Sequence, residues 1–391
     1  MMGAFHIGWR YLAFHRIKTA LLVGCLTLVL FLPVALRILV GHTEQQLTTR
    51  AAATPLLIGA KGSPLELALN SLYFDTKVPA RLEYSEVAAV RDTGLAGAIP
   101  LYVRFQSRKY PIVGTSLDYF EFRDLQIAAG SQMQRLGDCV VGAVAAEQLG
   151  LHPGDSVISS PETVFDIAGV YPLKMRVTGV LSPANSPDDQ AIFTDIKTTW
   201  IIEGLAHGHT DLAAPEARTS VLKRDGDRIT ANAAVVQYNE ITDQNIGSFH
   251  FHGDVSGFPM TAIIALPLDD KTGTLLMGRY LGEDHAAQIL IPQKVIDGLL
   301  ATILTVQQYV TVGMAVLGVA TLATASLVFL LSLRLRRREI ETLHKIGGQR
   351  GAVFAICAFE IVFVLAVSTL LASLLAATTH WVGPDLIRFF L

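Results

Sequence analysis

The chain has 391 residues, of which 51% are hydrophobic and 17% charged, with a formal net charge of −3 and a mean hydropathy of +0.43. It is too apolar for an ordinary soluble protein of this size and too charged to lie wholly in lipid, so one part belongs to a membrane and another is globular. The slightly acidic balance supplies no basic surface for nucleic acid.

In chain order, residues 1–18 carry Arg10, Arg16 and Lys18 with no acid, the pattern of a cytoplasmic amphipathic helix. Residues 19–40, TALLVGCLTLVLFLPVALRILV, are long enough to cross the hydrocarbon core. They run past Arg37 with no small-residue cleavage site, which predicts a retained anchor rather than a signal peptide.

Residues 41–300 hold 20 Lys/Arg against 30 Asp/Glu once residues 38–40, which carry none, are included, a difference of −10. Basic flanks on both sides place this acidic stretch outside the cytoplasm. Cys139 is its one cysteine, so no disulfide forms within it, and about 260 residues suffice for an ordinary hydrophobic core. GDCVVGAVAAEQLGLHPGDSV (137–157) predicts a strand, a short helix from about Gly142 to Leu149, a turn and another strand. LKMRVTGVL (173–181) alternates as a strand, SPANSPDD (182–189) is a turn cluster, and AIFTDIKTTWIIEGL (191–205) runs from strand into helix. These elements predict an α+β domain of two lobes, with residues from about 120 to 240 inserted in a lobe made from both flanks.

From 292 onward, Val295, Leu299, Ile303 and Val306 recur at helical spacing, which predicts a continuous helix from about Gln293 to Arg334. Residues 301–335 would comprise a stalk and the second span. Residues 336–350, RRREIETLHKIGGQR, follow as a short basic loop. Within it Ile340, Leu343 and Ile346 recur at three-residue steps, one face of a short helix bearing Glu339, Glu341, His344 and Lys345 elsewhere. Gly347 and Gly348 are a helix stop. Residues 351–378 form a third span, leaving 379–391 as an extracytoplasmic tail too short to cross again. The fold class predicted is an α-helical membrane protein of three transmembrane helices with a large α+β extracytoplasmic domain.

Several chemistries are missing. The sequence has no Gly-Lys dipeptide, so no nucleotide-cradling P-loop, and no H-E-x-x-H, C-x-x-C or G-x-S-x-G motif. Intramembrane charge is confined mainly to Arg37 and Glu360, too sparse for an ion path, and Glu360 reads as a group for helix packing or the inner interface. His207 and His209, with His250 and His252, form two H-x-H pairs. Alternate strand residues share a face, so each pair presents two imidazoles and the two pairs together could complete a zinc site. Forty residues separate the pairs, however, and the plainer reading is of surface histidines that never meet. Asp188 and Asp189 read as turn chemistry.

With these elements in place, RRREIETLHKIGGQRGAVFAICAFE (336–360) resembles a loop of the FtsX and MacB family of permeases, the mechanotransmission or type VII membrane subunits of ABC transporters. WRYLAFHRIKTALLVG (9–24) resembles the family's start, a helix along the inner face leading into the first span. GAKGSPLELALNSLYF (59–74), GTSLDYFEFRDLQIAAG (114–130) and CVVGAVAAEQLGLHPGDSV (139–157) are similar to external-domain segments of MacB-like proteins. The resemblance implies a permease subunit of the bacterial inner membrane, N-terminus cytoplasmic and large domain periplasmic, and not an enzyme itself. It implies a coupling helix formed by Arg338, Glu339, Ile340, Leu343, Ile346, Gly347, Gly348 and Arg350, docked on a separate LolD/MacB-like ATPase that holds ATP and Mg. A second copy of the chain, membrane lipids and a periplasmic or lipoprotein partner are further implied, with no cofactor in this chain. Family members usually have four spans where this chain shows three; either this branch tolerates three or a partner supplies the missing packing surface. An alternative from another class is an extracytoplasmic metal- or ligand-binding receptor without ATPase coupling.

Overall fold

The structure, a computed structural model, describes residues 2–160, 172–208, 221–225, 228–231, 238–282, 285–335, 337–345 and 350–390. It divides into a helical unit, residues 1–47 with 298–391, and an α/β domain, residues 48–297.

Five helices contribute to the first unit: Met2–Phe14, Arg16–Ala52, Pro292–Leu335, Arg337–Lys345 and Arg350–Phe390. Three, over Arg16–Ala52, Pro292–Leu335 and Phe354–Gly383, are long and apolar enough to cross a membrane. The last helix runs on to Phe390, through the residues expected to follow the third span. The first helix packs on the last through aromatic edges, Phe5 against Phe359 at 5.3 Å and Trp9 against Phe363 at 5.4 Å. Leu12, Leu26 and Val364 form a small buried cluster beside them. Glu360 is buried, and so is Ser368, whose hydroxyl donates to the Val23 carbonyl at 3.3 Å. Most of the remaining apolar side chains point outward, Val316, Leu317 and Val319 among them. These helices therefore bury little apolar surface against one another.

The α/β domain is built on a ten-stranded mixed sheet. Its order is Ala287–Leu290, Leu56–Ala60, Ala262–Pro267, Ala96–Ser107, Tyr110–Thr115, Ile192–Asp195, Asp138–Val141, Lys174–Leu181, Ile127–Gly130, with Ser156–Ile158 also on Lys174–Leu181. Two pairings are parallel, Tyr110–Thr115 with Ile192–Asp195 and Asp138–Val141 with Lys174–Leu181; the others are antiparallel. Segments such as LLIGA, AIIALP and DCVV are apolar almost throughout because the sheet is covered on both faces.

Strand alternation sorts these residues into two cores. Leu56, Ile58, Cys139, Val141, Ile192 and Ile263 lie in one, whereas Leu57, Val140, Phe193, Ala262 and Ile264 lie in the other. Helices Ser85–Asp92, Ala143–Leu149, Ile196–Ile202 and Asp270–Arg279 supply buried side chains to the first face, Pro64–Tyr73 and Asp118–Phe122 to the second.

One long strand, Ala96–Ser107, joins two ladders: its first half pairs with Ala262–Pro267 and its second half with Tyr110–Thr115. Strands between 120 and 240 are an insert in chain order, but they pair edge to edge with the flanking strands through Tyr110–Thr115 and Ile192–Asp195. One sheet runs through both parts, and each core draws on both.

Phe193 is fully buried at the centre of the second core, with Tyr119 at 5.5 Å and Phe120 at 5.4 Å between ring centroids. Phe193→Ala should destabilise the domain by about 3–5 kcal/mol, seen as a lowered melting temperature of the purified full chain; an unchanged melting temperature would show that the ring is not essential to this core.

Candidate functional site

Arg50 stands on the last turn of the helix Arg16–Ala52, within the α/β domain, and is almost wholly buried at 7% exposure. Three of the segments that carry the family resemblance converge on it. Gly59–Phe74 contributes the Leu72 carbonyl, which accepts from Arg50 Nε, and the Phe74 ring, whose centroid lies 5.4 Å from the guanidinium carbon. Gly114–Gly130 contributes Tyr119, whose hydroxyl accepts from Arg50 Nη2 at 2.8 Å and donates to Asp188 Oδ1 at 2.7 Å. Cys139–Val157 contributes Gly142, discussed below.

Asp188 closes the site with a two-pronged ion pair, Arg50 Nη1 to Oδ2 at 2.6 Å and Nη2 to Oδ1 at 2.9 Å. This fork-on-fork geometry suits a guanidinium and would not suit an ammonium. Arg123 adds an outer layer, donating to Thr54 Oγ1 at 2.8 Å while Thr54 itself donates to the Arg50 carbonyl at 3.0 Å.

Local chain geometry presents these groups. Phe74 has a φ of 59°, a left-handed conformation that usually selects glycine. It terminates the helix Pro64–Tyr73: its N–H bonds the Asn70 carbonyl, and the following N–H of Asp75 reaches Leu69. Contacts of its ring with Arg50 and Phe193 hold a conformation that costs about 1–2 kcal/mol. Asp188 lies in a 3₁₀ turn, Pro187–Gln190, capped by the Ser186 side chain. The backbone of this turn passes so close to Gly142 that any Cβ there would meet the Asp188 carbonyl oxygen at 2.2 Å. The reading of Asp188 and Asp189 as turn residues holds for the backbone, and Asp189 Oδ1 accepts from Ala184 N–H. It missed the buried pair, because nothing along the sequence links position 50 to position 188.

Burial alone would push the Asp188 carboxyl up. The Arg50 cation and hydrogen bonds from Arg50, Tyr119 and Ser186 outweigh burial and hold it down to about 2. Because that value lies below the ordinary carboxylate value of about 3.9, the stability it contributes is fully present above about pH 4 and is lost as pH falls toward 2.

The second site is the short helix Arg337–Lys345 between two long apolar helices. It carries Arg338, exposed, along with positions 339, 340 and 343 of the expected coupling face, and an Arg337–Glu341 ion pair of 3.1 Å. Arg350 opens the next helix. Ile346, Gly347 and Gly348 lie outside the described residues.

Of the four histidines, His207, His250 and His252 are brought together although 40 residues intervene in sequence between the pairs, and His209 lies outside the described residues. They meet because the strands carrying His207 and His250 pair.

An α/β domain lies in chain order between long helices apolar enough to cross a membrane, with a short charged helix between the last two, the layout of a membrane-associated component. The family model of the MacB-like periplasmic core domain matches residues 19–238, more than half of the 391 residues. The chain belongs to this family, that of the FtsX/MacB-like ABC transporter permeases. Among solved structures it is similar to the periplasmic region of MacB from Actinobacillus actinomycetemcomitans, at 11% identity and a TM-score of 0.36, over 65% of this chain and 94% of that one. It is also similar to the extracellular domain of the noncanonic ABC-type transporter YknZ from Gram-positive bacteria, at 11% identity and a TM-score of 0.33, over 60% of this chain and 98% of that one. No curated protein matches it.

Arg50→Met leaves the Asp188 carboxylate buried without its cation and should cost about 3–5 kcal/mol, whereas Arg50→Met with Asp188→Leu should cost clearly less than the two single changes summed. Thermal unfolding of the purified full chain measures this, and strictly additive losses would show that the two residues do not act as a pair.

Proposed function

We propose that the chain is the membrane subunit of an ABC transporter in which a separate LolD/MacB-like cytoplasmic ATPase drives movement of the α/β domain outside the inner membrane. The observation that carries this reading is the MacB-like core domain match over 19–238, in a chain whose apolar helices bracket one short charged helix. In this reading the three apolar helices span the bilayer, the N-terminus is cytoplasmic and the domain is periplasmic. Two copies pair, and lipid and the second copy cover outward-facing side chains such as Val316, Leu317 and Val319.

Arg337–Lys345 is then the coupling helix. The sequence places Ile340 and Leu343 on one face, and full burial of such a side chain contributes about 1.5–3 kcal/mol to docking on the ATPase. ATP and Mg stay on the ATPase, and this chain supplies no catalytic group. Movement passes along Pro292–Leu335, whose 44 residues at about 1.5 Å each make a helix about twice as long as the roughly 30 Å hydrocarbon core. The work done outside is on a periplasmic substrate or lipoprotein, because the spans hold too few ionisable groups to line a polar path.

Leu343→Asp would put an unpaired charge into an apolar groove and should abolish co-purification of the ATPase, while His344→Asp, off that face, should retain it. Equal retention by both variants would reduce this loop to a basic anchor. It would also leave room for the receptor reading without ATPase coupling.

Three spans also fix the side on which the last helix ends. A cysteine near Gly383 reports that side. Trp381→Cys, with Cys25, Cys139 and Cys357 replaced, should react with a membrane-impermeant maleimide in intact spheroplasts; reaction only after permeabilisation would overturn the topology.

A further inference from the structure

The sheet alternation that builds the two cores also builds a small polar face. Strands Ala206–Gly208 and Phe249–Phe251 pair antiparallel with His207 directly opposite His250, so both imidazoles project to one side. His252 lies two residues beyond His250, on the same side, and the ladder reaches it through its N–H bond to the Leu205 carbonyl. On the other side, Ala206 is buried and Phe251 packs against Trp200 and Phe258 at 6.3 and 6.0 Å between ring centroids. Trp200 is fully buried and donates from Nε1 to the Pro259 carbonyl at 2.7 Å, tying the ribbon to the first core. Gly208 admits the Phe249 ring of its strand partner, which would lie 2.6 Å from any Cβ there. The histidines thus stand on a rigid apolar base.

Their ring nitrogens converge. One ligand-capable nitrogen from each of His207, His250 and His252 lies within 4.8 Å of the other two. His252 Nε2 and His207 Nδ1 are 3.3 Å apart. Two nitrogens bound to one tetrahedral zinc at about 2.0–2.1 Å are separated by about 3.3–3.4 Å. His250 Nδ1 lies 3.1 Å from the Ser248 carbonyl, the kind of outer contact that orients a metal-binding imidazole. All three rings lie within 5.0 Å of one another between centroids, with no carboxylate in the group.

We propose that His207, His250 and His252 form a binding site for a divalent transition-metal ion, zinc being the best fit. Three imidazoles select borderline cations over calcium or magnesium, which demand oxygen ligands. Three protein ligands leave a fourth position open, as in zinc sites that exchange or activate a small ligand rather than brace a fold. His250 and His252 are exposed, so the ion exchanges with the surrounding solution and the site takes up or hands over metal. The site does not depend on the assignment of the ATPase partner.

The test is isothermal titration of zinc chloride into the untagged full chain in detergent. The wild type should bind one zinc per chain, and His207→Ala, His250→Ala and His252→Ala together should weaken binding by about 10-fold or more. The variant His42→Ala with His380→Ala, which removes another close histidine pair, at 3.2 Å, should bind as the wild type does. In the unmutated chain, zinc should protect His207, His250 and His252 from diethyl pyrocarbonate while the exposed His152 stays reactive. This second measurement does not rely on the variants folding. No saturable zinc binding below about 0.1 mM, binding unchanged in the triple variant, or no selective protection of the three histidines would each overturn the proposal.

Discussion

A guanidinium taken out of water is tolerated only if nearly every donor finds a partner, and Arg50 imposes that condition on the α/β domain. Its partners come from places far apart in the chain: Leu72 and Phe74 at a helix end, Tyr119 on a short helix, Asp188 in a turn. Each must be presented at hydrogen-bond distance at once. The left-handed Phe74, the close approach at Gly142 and the Ser186 cap all follow from that demand. A buried ion pair of this kind adds little to net stability compared with an apolar replacement, but it tolerates few alternative arrangements. Its contribution is best understood as specificity of registration between the last turn of an apolar helix and the second core.

The continuous sheet explains how that registration is shared. Because alternate residues of the same strands face opposite cores, a displacement on the Arg50 side is felt by Phe193 and, through its neighbour Ile192, by the first core as well. The histidine ribbon stands on that first core through Phe251 and Trp200. A close-packed interior leaves few voids in which such a shift could be absorbed. In the proposed function, this is a physical basis for a domain that moves as one body.

Much of the architecture was legible in the sequence because it rests on short-range or one-dimensional signals. Hydropathy found the three apolar helices, since crossing hydrocarbon needs an uninterrupted apolar run. Alternation and turn residues placed Asp138–Val141, Ala143–Leu149, Ser156–Ile158 and Lys174–Leu181, where glycines at 150 and 154 take positive φ. Helical spacing anticipated Pro292–Leu335.

By itself, then, the sequence determined which segments are apolar enough for lipid, where a charged helix falls between them, that it carries no P-loop motif, and the family to which the chain belongs. Only the tertiary structure decided that the inserted strands join their flanks in a single sheet, that Arg50 and Asp188 meet, and that three histidines from distant pairs share one face. The division has a physical cause: periodicity and composition act within a few residues, whereas a ladder pairing or a buried ion pair joins positions that the chain order leaves unrelated, and its free energy exists only once both partners are in place.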